Sequence, residues 1–246
     1  MKLAIMQPYL FPYIGYLSLM EYADEFILFD TAQYDRKGWM NRNRILKPQQ
    51  GWQYIRAGVI KPPFRASIQD VKIAHDNQWK ETIIRQLEHY SKVAPHYEST
   101  LELVTSNLAR PAKTLTELNK NILESLRDAL KITCPIRVFS ELNLKQGNVL
   151  HAGQWALRIS EAAGATEYVN PPGGKDLFKV QDFEQAGIKL TFLSNQLSDY
   201  NQCRDLFEPG LSIIDTLMFC SRDDTKSLLT DFTTEEANNR DHKSSN

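Results

Sequence analysis

The sequence predicts an α/β protein built on a parallel sheet, and three observations carry that prediction. Short, wholly apolar runs such as Leu3–Met6 and Phe26–Phe29 have the length of strands buried on both faces. Stretches with apolar residues at helical spacing alternate with these runs. The first two runs are joined by a loop and one short helix, the connection of a βαβ unit. The class is therefore α/β with a Rossmann-like parallel sheet and a helical insertion in mid-chain.

Lys2–Met6 is a first strand, because loop punctuation follows it at once. Pro8 and Pro12 forbid a continuous helix or a central strand through QPYLFPYIGY. From Gly15 to Ala23, the residues Tyr16, Leu19, Met20 and Ala23 fall on one helical face. Glu25–Asp30 is a second strand closing on an acid. Trp52–Ile60 is a further strand, ended by the turn Lys61-Pro62-Pro63-Phe64. Trp79, Ile83, Leu87 and Tyr90 then stripe an amphipathic helix over Asn77–Ser91. Leu101–Leu108 is a second helix. Pro111 serves as first-turn proline of a third, along which Leu115, Leu118, Ile122, Leu126 and Leu130 are aligned. Residues ~77–131 are thus a helical insertion by periodicity.

After Cys134-Pro135 the alternation returns. Ile136–Phe139 is a strand, Gly147–Ala163 a helix capped by Gly164, and Glu167–Val169 a short strand. Asn170–Gly174 is a tight loop, Leu177–Ala186 a helix and Ile188–Leu193 a strand. The chain divides into one α/β domain over 1–232 and a polar, apolar-poor tail over 233–246 that is expected to be disordered.

Composition excludes several classes. Hydrophobic residues at 42% allow a sizeable core, and a net charge of −1 gives no global case for duplex nucleic-acid binding, though local basic clusters can hold phosphate. Cys134, Cys203 and Cys220 are scattered and odd in number, which predicts free thiols in a reducing cytoplasm. No stretch reaches the ~18–20 apolar residues of a membrane span, and the N-terminus lacks a signal peptide's pattern. His75, His89, His96 and His151 show no metal-ligand spacing, so no metal is assigned. The residues themselves name no cofactor.

Four segments carry chemistry. The loop Gln7–Tyr16 leads from a strand into a helix N-terminus, in a skeleton similar to the HxGH-bearing loop of the nucleotidylyltransferase superfamily. In that alignment Tyr13 and Tyr16 stand where the two histidines would be, and Gly15 keeps its small size for close ligand approach. A phenol donates to phosphate but carries no imidazolium charge, which disfavours nucleotidyl transfer. The plain alternative makes these aromatics core. In Trp39-Met-Asn-Arg-Asn-Arg44, an extended chain puts Arg42 and Arg44 on one face and Asn41 and Asn43 on the other. Paired guanidiniums suit a diphosphate and amides a sugar or base edge, whereas a solvated strand paired with Asp24, Asp30 or Asp35 is the bland reading. Tyr168–Lys175 (YVNPPGGK) lets the amides of Gly173 and Gly174 converge on an anion, or simply turns. In Phe207–Cys220, Ser212 caps a helix and Asp215 sits in its first turn, an ordinary start unless Asp215 faces a pocket. Asp30 or Lys175 can act as general base only if its surroundings shift its pKa.

With these segments in place, the chain resembles the WbqC-like protein family. The resemblance runs in order from QPYLFPYIGY through Asp30, Gln33-Tyr34, Trp39 and NRNRI, to Trp79…Tyr90 and Ala94-Pro95-His96-Tyr97. It continues through Ala165-Thr166-Glu167-Tyr168, the glycine–lysine loop and Phe183…Gly187-Ile188 to Phe207-Glu-Pro…Leu211-Ser-Ile-Ile-Asp215. Cys220-Ser221 and His151 depart from the expected pattern without touching its centre. The resemblance implies a cytoplasmic transferase of surface-polysaccharide and O-antigen biosynthesis, adding a glycyl-like aminoacyl or an acyl group to a nucleotide-activated amino sugar. On that implication Arg42 and Arg44 hold the diphosphate, Trp39 stacks on a ring, and Asp30 or Tyr16 handles the amine proton. Gln7, Tyr13, Gly15, Gln33, Asn41, Asn43, Tyr168, Gly173, Gly174 and Asp215 complete the candidate site, with Lys175 as a further catalytic candidate. The donor would be a thioester, a charged tRNA or an acyl adenylate. Two other readings stand beside it: a divergent nucleotidylyltransferase, and a non-catalytic nucleotide- or glycan-sensing module.

Overall fold

A computed structural model describes residues 1–144, 149 and 151–237. The chain runs β1 (Lys2–Met6), α1 (Ile14–Tyr22), β2 (Glu25–Leu28), β3 (Arg42–Leu46) and β4 (Trp52–Arg56) into the helices α2 (Gln78–Leu87), α3 (Tyr97–Ala109) and α4 (Leu115–Ala129). It then follows β5 (Ile136–Val138), α5 (Gln154–Ala163), β6 (Glu167–Asn170), α6 (Val180–Gln185) and β7 (Lys189–Asn195). The helices α7 (Ile213–Phe219) and α8 (Arg222–Thr230) and the strand β8 (Phe232–Glu236) follow. No helix among the described residues is long and apolar enough to cross a membrane.

The central sheet has the order β5-β2-β1-β6-β7-β8, parallel except for β8. From β1 the chain steps to β2 and β5 on one side, and later to β6 and β7 on the other. The winding therefore reverses between β1 and β6, where Leu3 lies beside Tyr168 and Ala4 beside Val169. Both faces are covered, which explains strands that are apolar at every position. Ala4, Phe26, Leu28 and Val169 belong to one core with α1 and the helical insertion. Leu3, Ile5, Ile27, Tyr168 and Phe192 belong to a second core with α5 and α6.

Several boundaries differ from the sequence expectation for definable reasons. The β4 strand ends at Arg56, not Ile60, since it is one arm of a separate antiparallel hairpin matched to the five residues of β3. Pro111 precedes α4 without entering it, because Thr114 and Glu117 form a reciprocal capping box that starts the helix at Leu115. Leu177 lies in a 3-10 turn over Pro172–Leu177, and Phe178 packs on Tyr168 and Phe183 before α6 begins. The helix expected from Gly147 begins, in its described part, at Gln154; Gly147, Asn148 and Leu150 lie outside the described residues. Thr233–Glu236, expected within a disordered tail, form most of β8. Its side chains are largely exposed, and backbone pairing with β7 holds it without an apolar pattern. Residues 238–246 lie outside the described residues.

The loop after β1 is buried although it is irregular, with Leu10 and Phe11 fully inside. Its carbonyls therefore need donors from elsewhere. The Asn43 amide donates to the carbonyls of Leu10 (3.2 Å) and Phe11, Ser212 Oγ donates to Phe11 (2.7 Å), and the Ile213 amide donates to Pro12 (2.8 Å). Phe11 itself sits at φ 41°, a left-handed conformation that only outside support makes tolerable for a bulky residue. Asn43→Ala leaves the buried Leu10 carbonyl without this donor and the Phe11 carbonyl with Ser212 alone, and is expected to cost on the order of 2 kcal/mol in urea unfolding, with little change in the denaturant slope. A cost under about 0.5 kcal/mol would show that the loop does not depend on this amide.

Candidate functional site

A cavity of about 1060 Å³ opens outside the carboxyl ends of β1, β2 and β6. It lies at the point where the winding reverses, the place where open α/β sheets take ligands. Small-molecule sites run to about 300–1,000 Å³, so it would accept a ligand of nucleotide size. The two other prominent hollows, of about 20 and 30 Å³, have room for a water molecule.

One wall is built by the proline loop. Tyr9 stacks on Trp39 at 5.7 Å between ring centroids and meets Tyr16 edge-on at 5.7 Å. Tyr13 packs over Gly15, where a Cβ would stand 2.5 Å from the Tyr13 ring, so the glycine permits that ring position. The opposite wall carries Phe29 against Trp155 at 5.3 Å and Phe178 against Tyr168 at 5.5 Å. The floor includes Asn170, which accepts from the Tyr168 hydroxyl at 2.9 Å and donates to the Pro171 carbonyl. A Cβ on Gly174 would lie 2.1 Å from that Asn170 amide, so the turn closes on the strand end only with glycine there.

Polar groups are few. Arg44 reaches the cavity from β3, with one terminal nitrogen donating to the Gly210 carbonyl at 3.1 Å. Its Nε is buried without a hydrogen-bond partner, as is the Thr31 Oγ1 on the same cavity. A buried donor left unpaired costs stability. The guanidinium sits 5.6 Å from the Trp39 ring and 5.2 Å from Trp52, which holds it in place. Asp35 is the one carboxylate on the cavity lining among the described residues. Burial pushes the Tyr9, Tyr13 and Tyr16 phenols up, so all three stay neutral hydrogen-bonding groups. Among the described residues, no three His, Cys, Asp or Glu side chains group as metal ligands would.

The structure brings Gln7, Tyr13, Tyr16, Gln33, Trp39, Arg44, Tyr168, Gly173 and Gly174 to this one cavity. Gly15 sits behind Tyr13. The other expected site residues are placed elsewhere. Asp30 is buried below the cavity, accepting from the Ser140 amide (3.0 Å) and hydroxyl (2.7 Å), and ties the end of β2 to the turn after β5. Lys175 is at the surface, 2.6 Å from Glu235 of β8. Arg42 shares a strand face with Arg44, as expected, but lies outside the cavity, donating to the Gly38 and Lys37 carbonyls over Trp39 and Tyr54. Asn41 and Asn43 point inward and hold backbone carbonyls, so no sugar or base edge can reach them. Tyr16 gives its hydroxyl to the Gln7 carbonyl at 2.9 Å.

Asp215 is fully buried away from the cavity, taking hydrogen bonds from Tyr90 (2.6 Å), Tyr200 (2.6 Å) and Gln202 (2.9 Å). Tyr90 also accepts from the Leu46 amide, which links α7 to β3. Thr31, Asp35, Trp155, Phe178 and Gly210 line the cavity without having been singled out in the sequence. The residues on either side of Asp30 were the available signal, since a strand end that binds ligand exposes its neighbours in alternation.

The pattern of the WbqC-like protein family matches residues 7–227 of this chain. The chain is also similar to a Mycobacterium tuberculosis (strain ATCC 25618 / H37Rv) protein described as "Uncharacterized protein Rv1507c". The two are 31% identical over 219 residues, covering 88% of this chain and 92% of that protein. No solved structure matches.

The buried carboxylate generates a pH prediction. Burial raises Asp215 from 3.8 to about 6, against the donors Tyr200, Tyr90 and Gln202, which lower it. Its folded value is above its unfolded one, so its contribution to stability is full below about pH 4 and is lost as pH rises through about 6. A difference of this size corresponds to about 3 kcal/mol. Between about pH 4 and pH 7 the wild type should lose stability relative to Asp215→Asn by about that amount in urea unfolding. Parallel pH profiles for the two proteins would contradict the assignment.

Proposed function

The chain belongs to the WbqC-like protein family, and from that premise we propose that it is a transferase of surface-polysaccharide biosynthesis. In this reading it adds a glycyl-like aminoacyl or an acyl group to the amine of a nucleotide-linked amino sugar. The observation that carries the proposal is Arg44, whose guanidinium reaches an aromatic cavity at the reversal point of the sheet with no carboxylate paired to it among the described residues. A diphosphate oxygen would accept a charge-assisted bond from that guanidinium, while Trp39 and Tyr9 offer ring faces to the planar part of the ligand. Gly173 and Gly174 line the cavity as well, with the Gly174 amide committed to the Pro171 carbonyl at 3.1 Å.

In the transfer, the sugar amine attacks the donor's carbonyl carbon. A carbon–nitrogen bond forms, and the bond from that carbon to the carrier's sulfur or oxygen breaks. The carrier leaves with the electron pair, and the amine's proton passes to a carboxylate. We assign that role to Asp35, which lines the cavity and has one oxygen bonded to the Lys37 amide, and not to Asp30, because Ser140 occupies both of its oxygens. The sequence likeness of the loop between β1 and α1 to a nucleotidylyltransferase-like site leaves a second reading open. Nucleotidyl transfer itself is disfavoured, since Tyr16 is neutral and its hydroxyl is committed to Gln7.

Calorimetry with nucleoside-diphosphate amino sugars tests the reading. Arg44→Ala should weaken binding roughly 10- to 100-fold, whereas Arg42→Ala, outside the cavity, should change it little. Asp35→Asn should lower kcat for acyl transfer with ligand affinity nearly unchanged. Absence of binding by any sugar nucleotide, or binding indifferent to Arg44→Ala, would overturn the proposal.

A further inference from the structure

The chain has a net charge of −1, yet between Arg36 and Gln69 it carries eight Lys and Arg and no Asp or Glu. The fold gathers much of this charge on one face beside the cavity. Arg42 and Arg56 are direct cross-strand partners in the hairpin, and the Tyr54 ring lies between 4.6 and 4.9 Å from both guanidiniums. Like charges placed opposite one another destabilise a strand pair. Burial pushes the Tyr34 phenol up, and Arg36, Arg56 and Arg42 are all near enough to pull it back, which groups these three around one ring. Among the described residues, none of Arg36, Arg42, Arg56 and Arg65 is ion-paired with a carboxylate. No carboxylate neutralises these guanidiniums, although the Gly38 and Lys37 carbonyls hold Arg42 and the Tyr54 ring lies against Arg42 and Arg56.

The same segment holds an exposed apolar tip. Phe64 is 89% exposed, more than any other large hydrophobic residue described, and Ile60 and Trp39 of this segment are exposed as well. Phe64 follows Pro62-Pro63 in a turn closed by the Ala66 amide on the Pro63 carbonyl at 3.3 Å. Arg65 next to it takes φ 61°, a left-handed conformation that glycine would adopt without strain. Gln33 bridges Ser67 and the Tyr34 amide bonds the Ala66 carbonyl, so the Phe64 turn runs alongside Arg36 and Lys37. Gln33, Asp35 and Gly38 of that neighbouring segment line the cavity.

We propose that this face docks on an anionic bilayer surface, with Phe64 entering the headgroup boundary and the surrounding basic side chains meeting lipid phosphates. Both halves of the feature are used by a bilayer: charge attraction falls on the arginines and lysines, and the apolar tip gains a non-aqueous place. A soluble polyanion would answer the charge and leave Phe64 in water. Docked in this way, the cavity beside the face sits close to the membrane surface. The inference stands on the charge distribution and on Phe64, and does not need the transferase reading.

Co-sedimentation of the full chain with phosphatidylcholine vesicles, with and without phosphatidylglycerol, tests it. The expected result is binding to the anionic vesicles alone, weakened by salt. Phe64→Ser should lower partitioning about tenfold, and Lys61→Ser and Arg65→Ser about fivefold each, with thermal unfolding unchanged. Arg44→Ala, which tests the ligand site, should sediment nearly as the wild type does, so the two proposals fail separately. Equal sedimentation with neutral and anionic vesicles, no sedimentation, or binding that survives Phe64→Ser and the charge variants would overturn the proposal. Capture of single-stranded oligonucleotide through the same residues without vesicle binding would also overturn it.

Discussion

A buried, irregular loop must have its backbone satisfied by groups far away in sequence, and this constraint governs the region after β1. Pro8 and Pro12 remove two donors, and Leu10 and Phe11 are fully inside, so neither helix nor sheet can complete the hydrogen bonding. Asn43 from the hairpin and Ser212 and Ile213 from α7 supply it. The same contacts fix Tyr9 and Tyr13 as a cavity wall and bring Arg44, one residue beyond Asn43, to the cavity. A structural and a cavity-lining residue thus sit side by side on one strand. Asn43 serves the fold and Arg44 faces the hollow.

A second device sets the hairpin from behind. Asp215 gathers Tyr90, Tyr200 and Gln202, and Tyr90 accepts from the Leu46 amide at the end of β3. Gly210 holds Arg44 directly, and the Ser212 amide donates to the Arg44 carbonyl. The segment from Gln202 to Asp215 therefore braces the arginine through both its side chain and its backbone. The buried carboxylate strains stability at neutral pH, and its three donors limit that cost.

The α/β class, the parallel pairing of β1 with β2 and the helical insertion were legible because apolar period and turn residues are local signals. The shared face of Arg42 and Arg44 was legible for the same reason. Which neighbours each side chain would meet was not. Asp30 looked free, yet its partner Ser140 lies 110 residues away. Lys175 looked free because Glu235 belongs to a polar strand that pairing with β7, and no apolar pattern, stabilises. Asn41 and Asn43 share the right face with each other, but burial of that face turned them from ligand groups into backbone donors.

The proposed function depends on a nucleotide-linked sugar lying at the β1/β6 reversal with its phosphates on Arg44. A crystal structure of the chain soaked with a nucleoside-diphosphate amino sugar tests it most directly. Diphosphate oxygens should lie within hydrogen-bond distance of the Arg44 guanidinium, with a ligand ring against Trp39 or Tyr9. Ligand bound elsewhere, or in the cavity with its phosphates turned away from Arg44, would contradict it.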